Sequence, residues 1–285
     1  CVSLISADGE RTMVTHLGAA LELSAPEIEP AIFEGYDCLY VEGYLVQNHE
    51  LILKAARTAK ECGLKVAIDL ASFNIVAENL EFLRGLVRDY VDIVFANEDE
   101  AKTFTCEGEP LNALQAISKL CELAVVKIGI KGALIKQGDE VVHVGIMAAA
   151  KRVDTTGAGD FYAAGFLSGL CDGLSLRQCG TIGAITAGKV IEVVGTTFGE
   201  DPAAHAQQPD RPAGRHRQAQ PERRGPFGQL QRISLRQPAV DLRPEALADA
   251  DIVAQPPEIG HGELRRGDDV PHHGVRHVPD RLAAR

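Results

Sequence analysis

The first 200 residues of the chain predict an α/β fold with a mainly parallel central sheet. Short and almost entirely apolar runs recur at regular intervals along this part of the sequence, with the length of strands buried on both faces of a sheet. Segments with an apolar stripe at helical spacing lie between these runs. Strands that alternate with helices are typical of βαβ units, in which neighbouring strands run parallel.

The apolar runs set the predicted strands of the sheet. Four buried strands are predicted over residues 38–41, 66–70, 92–96 and 124–128. Residues 133–136 and 141–144 are two further apolar runs, and the turn-like residues 137–140 between them predict a hairpin at the edge of the sheet.

Two apolar stripes predict the helices that cover the sheet. The first stripe consists of Leu51, Ala55, Ala59 and Cys62, with Gly63 ending the helix. The second stripe consists of Val76, Leu80, Leu83, Val87 and Tyr90. Both stripes are interpreted as faces that pack on the core rather than as cofactor contacts. A capping-box pattern over residues 24–27 opens another short helix, which Gly35 can close.

Composition divides the chain near residue 200, into a domain of residues 1–199 and a tail of residues 200–285. All ten lysines precede the division, whereas eleven of the fourteen prolines and thirteen of the nineteen arginines follow it. Because frequent prolines interrupt helices and central strands, we expect a Pro/Arg-rich tail of low order, with a shifted reading frame as a hypothesis for its origin. An arginine-rich binding arm is the alternative, but the twelve acidic residues of 201–285 nearly cancel the charge of its thirteen arginines.

The bulk composition excludes several classes of function. A formal net charge of −11 argues against a nucleic-acid-binding surface. No apolar run approaches the roughly 20 residues of a membrane-spanning helix, and no secretory signal opens the chain, so we expect a cytoplasmic protein without a membrane partner. The seven cysteines are widely spaced and lack histidines at ligand spacing, so we expect free thiols rather than disulfides or a zinc site.

A glycine-rich turn carries the clearest chemical signal. Residues 154–160 read Asp-Thr-Thr-Gly-Ala-Gly-Asp and precede the apolar, small-residue run 161–170, which has the spacing of a buried helix. The first N–H groups of a helix have no partner within the helix, and its dipole makes that end positive, so the turn can hold a phosphate. Asp160 is then placed to accept a proton from an attacking hydroxyl.

Two other interpretations of this turn have to be weighed. Asp160 could be a helix-capping residue only. A dinucleotide-binding turn would need a third glycine, and Tyr162 stands at that position.

The complete string from Asp154 to Asp160, followed by Phe-Tyr-Ala-Ala-Gly-Phe, resembles the carboxyl-terminal signature of the ribokinase-like (PfkB) family of kinases. This resemblance covers about residues 1–199. It implies a ribokinase-like three-layer α/β/α fold, here without its amino-terminal strands, because the chain begins in a strand-like run at Cys1 instead of an initiator methionine. It also implies transfer of the γ-phosphoryl group of ATP to a hydroxyl of a nucleoside or sugar, with ATP and Mg²⁺ as cofactors.

The resemblance also implies roles for the residues of the motif. Asp160 corresponds to the general base, and the backbone of Gly157, Ala158 and Gly159 corresponds to the anion hole for the transferred group. Asp154 and Thr156 correspond to the site of a monovalent cation, such as K⁺.

Shorter segments resemble further parts of the family. Asn97 and Glu100 match an N-x-x-E element that organises the nucleotide phosphates and, through water, Mg²⁺; an acidic helix start is the alternative. Lys127, Gly129 and Gly132 resemble the segment that borders ATP, and an ordinary strand end is the alternative there.

The remaining matches bear on the adenine pocket and the acceptor. Thr196 lies in a stretch that resembles the border of the adenine pocket, just before the change in composition. Residues 40–45 and 69–74 look like the adenosine-kinase-like branch. The alternative function is that of a non-catalytic remnant that binds nucleotide. The sequence leaves open whether the protein forms a homodimer.

Overall fold

The computed structural model describes residues 2–5, 11–14, 18–147, 152–196, 230–233 and 252–253. These residues all belong to a compact unit, Cys1–Gln255. Most of the tail predicted for residues 200–285 lies outside the described residues, so its low order stays a prediction. No helix in the described ranges is long and apolar enough to cross a membrane.

The centre of the molecule is a seven-stranded mixed sheet with the order β10-β3-β4-β5-β6-β7-β8. In chain order the strands are β1 (Val2–Ile5), β2 (Arg11–Val14), β3 (Cys38–Glu42), β4 (Lys65–Asp69), β5 (Ile93–Asn97), β6 (Leu123–Lys127), β7 (Ala133–Gln137), β8 (Glu140–Val144), β9 (Ile146–Met147), β10 (Leu230–Ile233) and β11 (Ile252–Val253). Strands β3 to β6 run parallel, whereas β7 and β8 form an antiparallel hairpin beside β6. The four buried strands and the hairpin are therefore confirmed, with boundaries moved by one residue at most.

Three short pairings lie outside the predicted strands. Strand β10, from the tail, pairs antiparallel with β3 at the edge of the sheet. Strands β1 and β2 form a separate antiparallel pair, as do β9 and β11.

Helices cover both faces of the sheet. In chain order they are α1 (His49–Glu61), α2 (Phe73–Glu78), α3 (Leu80–Tyr90), α4 (Glu98–Thr105), α5 (Pro110–Ile117), α6 (Ala158–Cys171) and α7 (Leu176–Val190). One hydrophobic cluster joins the sheet to α1, α3, α4 and α5, and a second joins the opposite face to α6 and α7. Two helical layers around one sheet make the three-layer α/β/α architecture that the resemblance implies.

The structure corrects three local predictions. The second apolar stripe is divided between α2 and α3, because Asn79 leaves the helical conformation between them. Residues 24–27 open two 3₁₀ turns, Ala25–Glu27 and Pro30–Phe33, instead of one helix. Cys62 is exposed beyond the end of α1 instead of lying on its core face. The cysteines that the structure describes are free thiols, as predicted.

Candidate active site

The carboxyl ends of the parallel strands bring several charged side chains to one edge of the sheet. Glu42 ends β3 beside Asp69 at the end of β4, and Lys127 ends β6 beside Asn97 at the end of β5. Tyr40, two residues before Glu42, packs in the cluster that faces α6 and α7. Since side chains two residues apart on a strand share a face, Glu42 points to the same side. Ligands of open α/β sheets bind at this edge.

Asp69 and Lys127 form a largely buried ion pair at this edge. Lys127 Nζ lies 2.6 Å from Asp69 Oδ2, and the two side chains are 18% and 9% exposed. The other carboxylate oxygen, Oδ1, accepts a hydrogen bond from the amide of Ala71 at 3.1 Å. Ala71 adopts a φ of +65°, which is strained for a residue with a β-carbon. The turn after β4 is thus held in an unusual conformation with the carboxylate fixed at both oxygens.

Carboxylates outnumber the cation in this part of the site. Burial alone would lower the pKa of Lys127, but Asp69, Glu100 and Asp160 offset that effect and raise it. Burial, followed by the charges of Asp160 and Asp69, raises the pKa of Glu42. Burial and the charge of Asp69 raise the pKa of Glu100 to about 7, against the opposing effect of Lys127. These groups therefore share one field, in which an added positive charge is favoured.

The glycine-rich turn lies against this cluster, at the start of α6. Gly157 adopts a φ of +80° as the residue before the helix, a conformation that glycine adopts without strain. The amide of Ala158 donates to the Thr155 carbonyl at 3.2 Å. In the part of the chain that the structure describes, the amides of Gly157 and Gly159 donate to no protein carbonyl. These two amides are thus the ones available to an anion, while that of Ala158 closes the turn.

The Lys127 side chain reaches the same turn from the end of β6. A β-carbon at Gly159 would lie 3.2 Å from Lys127 Nζ, so the ammonium group is against the first turn of α6. Asp160 follows Gly159 in that turn and is exposed. Its charge raises the pKa of Glu42 and of Lys127, which places its carboxylate near both side chains. Asp160, Gly159 and Lys127 are therefore brought together.

Asp154 shapes the loop that leads into the turn. Its carboxylate accepts hydrogen bonds from the amide and the hydroxyl of Thr156, at 2.9 and 2.6 Å, and from the amide of Gly195 at 2.9 Å. A β-carbon at Gly157 would lie 3.0 Å from Thr196 Cγ2, so Thr196 packs beside the turn. Because three donors already bind the Asp154 carboxylate, this arrangement explains its burial without a cation, and the monovalent-cation site at Asp154 and Thr156 stays a prediction.

Asn97 and Glu100 form the cap of α4. The Asn97 side chain accepts from the Glu100 amide at 2.9 Å, and the Glu100 carboxylate accepts from the backbone amide and the side-chain amide of Asn97 at 2.8 and 2.6 Å. Glu100 is 2% exposed. Asn97 and Glu100 thus act as a helix cap, which was the alternative to a role at the nucleotide. A cap of this kind still allows the Glu100 carboxylate to contact a water ligand of a metal ion.

The two glycines after β6 differ in their surroundings. A β-carbon at Gly132 would lie 2.0 Å from the Val144 carbonyl oxygen, so the hairpin itself requires this glycine. Gly129 lies in the exposed 3₁₀ turn Gly129–Lys131 with a φ of +57°. Packing therefore accounts for Gly132, whereas the turn at Gly129 leaves room for a ligand.

The carboxylate and amide oxygens in this site fit a magnesium ion that keeps most of its water ligands. Among the described residues no group of three His, Cys, Asp or Glu side chains is arranged to hold a metal directly. Mg²⁺ in nucleotide sites usually binds phosphates, water and only one or two carboxylates. The excess of carboxylates around Lys127 is consistent with that mode of binding.

Sequence reasoning did not assign roles to Glu42, Asp69 and Tyr40. The Tyr40 hydroxyl is buried and has no hydrogen-bond partner within the described part of the chain. Burial, Asp69 and Asp160 raise its pKa, so it too lies beneath the site. The available signal was a carboxylate at the end of a buried apolar run, since such ends meet at one edge of a parallel sheet.

Comparisons with known proteins agree with this architecture. The model of the pfkB family of carbohydrate kinases matches residues 1–203. Ribokinase from Arabidopsis thaliana is 30% identical over 207 residues, which are 68% of this chain and 52% of the plant protein. The structure of adenosine kinase from Sinorhizobium meliloti matches with a TM-score of 0.68 and 36% identity, over 72% of this chain and 64% of that one.

A more distant structure shows the same fold. An Escherichia coli protein described as a ribokinase II, in complex with ATP and Mg²⁺, matches with a TM-score of 0.61 and 19% identity over 68% of this chain and 65% of that one. The chain thus spans 52% of the plant ribokinase and 64% of the Sinorhizobium protein, less than two thirds of either.

Proposed function

The chain belongs to the pfkB family of carbohydrate kinases, and on that premise we propose that it transfers the γ-phosphoryl group of ATP to a hydroxyl of a nucleoside or sugar. One observation carries this proposal. The amides of Gly157 and Gly159 lie at the first turn of α6 together with the ammonium group of Lys127 and the carboxylate of Asp160. Neither amide donates to a backbone carbonyl in the described part of the chain. Anion-binding groups beside a carboxylate base are what this reaction requires.

The chemistry follows from these positions. Asp160 accepts the proton of the acceptor hydroxyl while that oxygen forms a bond to the γ-phosphorus and the bond to the β-phosphate oxygen breaks. The amides of Gly157 and Gly159 stabilise the charge on the oxygens of the transferred group. Lys127 adds a fixed positive charge on the sheet side of the same turn. ADP and the phosphorylated acceptor leave, and Asp160 returns its proton to water.

Mg²⁺, when bound, neutralises charge between the phosphates of ATP. Asn97 and Glu100 are the residues that we assign to it, through water, because the Glu100 carboxylate is already bound by Asn97. We assign Gly129 and Thr196 to the border of the nucleotide, since Gly129 leaves room after β6 and Thr196 packs beside Gly157. Asp154 keeps the loop in shape through Thr156 and Gly195.

The acceptor class rests on the relatives. The Sinorhizobium adenosine kinase, at 36% identity, supports a nucleoside, and the plant ribokinase supports a sugar. Identity does not separate the two classes, because a Rhizobium etli structure described as a sugar kinase also matches at 36% identity. We propose a nucleoside first, because residues 40–45 and 69–74 resemble the adenosine-kinase-like branch.

Nucleotide binding without transfer is the second candidate. The span of 52–64% of its relatives favours it, because groups that hold the acceptor in those proteins can lie outside the shared part. This candidate predicts ATP binding with no ADP release that depends on an acceptor.

Asp160→Asn tests the proposal in the full chain, with Asp172→Asn, at the other end of α6, as the matched control. We expect Asp160→Asn to lower acceptor-dependent ADP release by at least about a hundredfold while ATP affinity, from calorimetry, changes little. Asp172→Asn should leave both unchanged. Near-normal turnover in Asp160→Asn contradicts the role of the base, and ATP binding without turnover in the wild type, across nucleosides and sugars, favours the second candidate.

A further inference from the structure

The Asp69–Lys127 pair lies at the amino-terminal end of α6, where only part of its surroundings favours a cation. Lys127 Nζ lies against the first turn of α6, beside Gly159. The amino-terminal end of a helix carries a partial positive charge, so a cation there is disfavoured. Burying an ammonium group adds a further cost. The carboxylates around Lys127 offset both effects and raise its pKa, and Asp69 is the one that contacts it directly.

Asp69 supplies the compensation from the protein. Its Oδ2 binds Lys127 Nζ at 2.6 Å, and its Oδ1 binds the Ala71 amide at 3.1 Å. The turn that provides this amide is strained at Ala71. It is also closely packed, since a β-carbon at Gly43 would lie 2.7 Å from the Asp69 carbonyl oxygen. The carboxylate is therefore fixed by backbone on one side and by the ammonium group on the other.

The anion-binding amides supply the place for the ligand. The ammonium group held by Asp69 and the amides of Gly157 and Gly159 are positive groups around the same turn. An anion between them would be stabilised by all of them at once. Fixed positive groups need no reorganisation when negative charge develops, which is the main advantage of a preorganised site.

We propose that Asp69 is a positioning residue for phosphoryl transfer, which holds the Lys127 ammonium group beside the Gly157 and Gly159 amides so that it stabilises the transferred phosphoryl group. This inference rests on the proposed function. Asp69 does not touch the phosphate in this arrangement and acts only through Lys127. Its effect therefore depends on the presence of the lysine, whereas a purely structural ion pair would act through stability alone.

The test is a double-mutant cycle in the full chain, with Asp69→Asn, Lys127→Met and the double variant. We expect Lys127→Met to lower kcat on the order of a hundredfold and Asp69→Asn to lower it about tenfold through misplacement of the ammonium group. The double variant should match Lys127→Met, because Asp69 has nothing left to position. Lys127→Arg, which keeps the charge, should retain more activity than Lys127→Met.

A second ion pair provides the control for loss of stability. Lys60 and Asp92 pair at 2.8 Å at the amino end of the same sheet, and Asp92 also accepts from the Val66 amide at 2.7 Å. Asp92→Asn and Lys60→Met should lower the melting temperature but leave kcat unchanged. The inference is overturned if Asp69→Asn behaves like Asp92→Asn, or if its effect on kcat is the same with and without Lys127.

ATP affinity, measured by calorimetry, separates this inference from the proposed function. We expect Lys127→Met to weaken ATP binding about tenfold and Asp69→Asn to weaken it less, again with no additional loss in the double variant. If the wild type binds ATP but phosphorylates no acceptor, the proposed function fails. The ATP affinities of the variants then still test whether Lys127 lies at the phosphates and whether Asp69 holds it there. Unchanged affinity in all variants, or no ATP binding by the wild type, overturns the inference. Because Lys127→Met leaves Asp69 buried without its partner, the double variant and Lys127→Arg keep the test valid if that variant does not fold.

Discussion

The two ends of the central sheet carry their charges in different ways. At the carboxyl end, the pair of Asp69 and Lys127 is buried beneath the first turn of α6, with Glu100 and Asp160 in the same field. At the amino end, Lys65 pairs with Glu122, and both side chains are about half exposed. Surface pairs of the second kind contribute little to stability because water screens them.

A cavity of about 320 Å³ lies at the amino end. Its apolar lining consists of Cys38, Ile93, Leu123, Leu167, Leu170 and Cys171. Asp37, Lys65, Glu122 and Gln137 also line it. The cavity therefore combines apolar walls with an ion pair, Lys65 and Glu122, that is half exposed to solvent.

This contrast is a better guide to the proposed chemistry than the presence of a cavity is. Burying carboxylates beside one another costs folding free energy, so such clusters persist mainly where a ligand or a reaction uses them. Only the carboxyl end, in the described part of the chain, combines such a cluster with unpaired amides of a helix start. Changes at the two ends should thus separate effects on activity from effects on stability.

The largest separation is expected between Asp154→Ala and Asp92→Ala. Asp154 binds three donors in the loop before α6, so its loss should lower transfer on the order of a hundredfold by releasing the turn. Both variants leave buried donors unsatisfied, and each should lose roughly 1–3 kcal/mol of unfolding free energy. Urea denaturation and acceptor-dependent ADP release measure the two effects. Equal losses of activity in the two variants would show that stability, rather than the geometry of the turn, limits transfer.

A smaller effect is expected from Gly159→Ala. The added β-carbon would lie 3.2 Å from Lys127 Nζ, so the ammonium group, which Asp69 holds in place, has to move. ATP affinity should fall about tenfold, because small displacements in such a site have large effects. Gly85→Ala, within α3, is the control, and it should raise stability by roughly 0.5–1 kcal/mol without changing ATP affinity. Unchanged ATP affinity in Gly159→Ala would mean that Lys127 does not border the phosphates.

The strands and the motif could be predicted because they depend on local pattern. Each buried strand is a run of apolar residues, and the boundaries moved by one residue at most. The division between α2 and α3 could not be predicted, because the apolar stripe continues across it. It depends on Asn79, whose side chain bonds to the Ile75 carbonyl at 3.0 Å and to His49 Nε2 at 2.8 Å.

The Asp69–Lys127 pair shows why part of the site stays hidden in the sequence. The two residues are 58 positions apart and meet only because β4, β5 and β6 are neighbours in the sheet. The sequence indicates that each residue ends a strand but does not state the strand order. Lys127 was assigned to ATP through resemblance, whereas Asp69 had no assigned role until its partner was known.

The pH dependence of stability should also differ between the two ends. Burial and Asp69 raise the pKa of Glu100 to about 7, from an ordinary value of 4.5. A carboxyl group with a raised pKa in the folded state binds its proton more tightly there, so its contribution to stability is lost as pH rises from about 4.5 to about 7. Wild type should therefore lose stability relative to Glu100→Gln between about pH 5 and about pH 8, measured by urea denaturation. Glu122→Gln, at the exposed amino end, should show no such trend, and a flat difference for Glu100→Gln would contradict the burial of a proton at this site.

The smallest effect is expected at the thiols of the amino-end cavity. Burial is the main cause that raises the pKa of Cys38 to about 12 and that of Cys171 to about 11. Since the thiolate is the reactive form, iodoacetamide should label these two cysteines more slowly than the exposed Cys62 and Cys106. Saturating ATP should leave the labelling rate of Cys171 unchanged, because ATP is expected at the opposite end of the sheet. If ATP strongly slowed the labelling of Cys171, with Cys62 as the internal control, the two ends would be coupled through α6, which runs from the glycine-rich turn to the cavity wall.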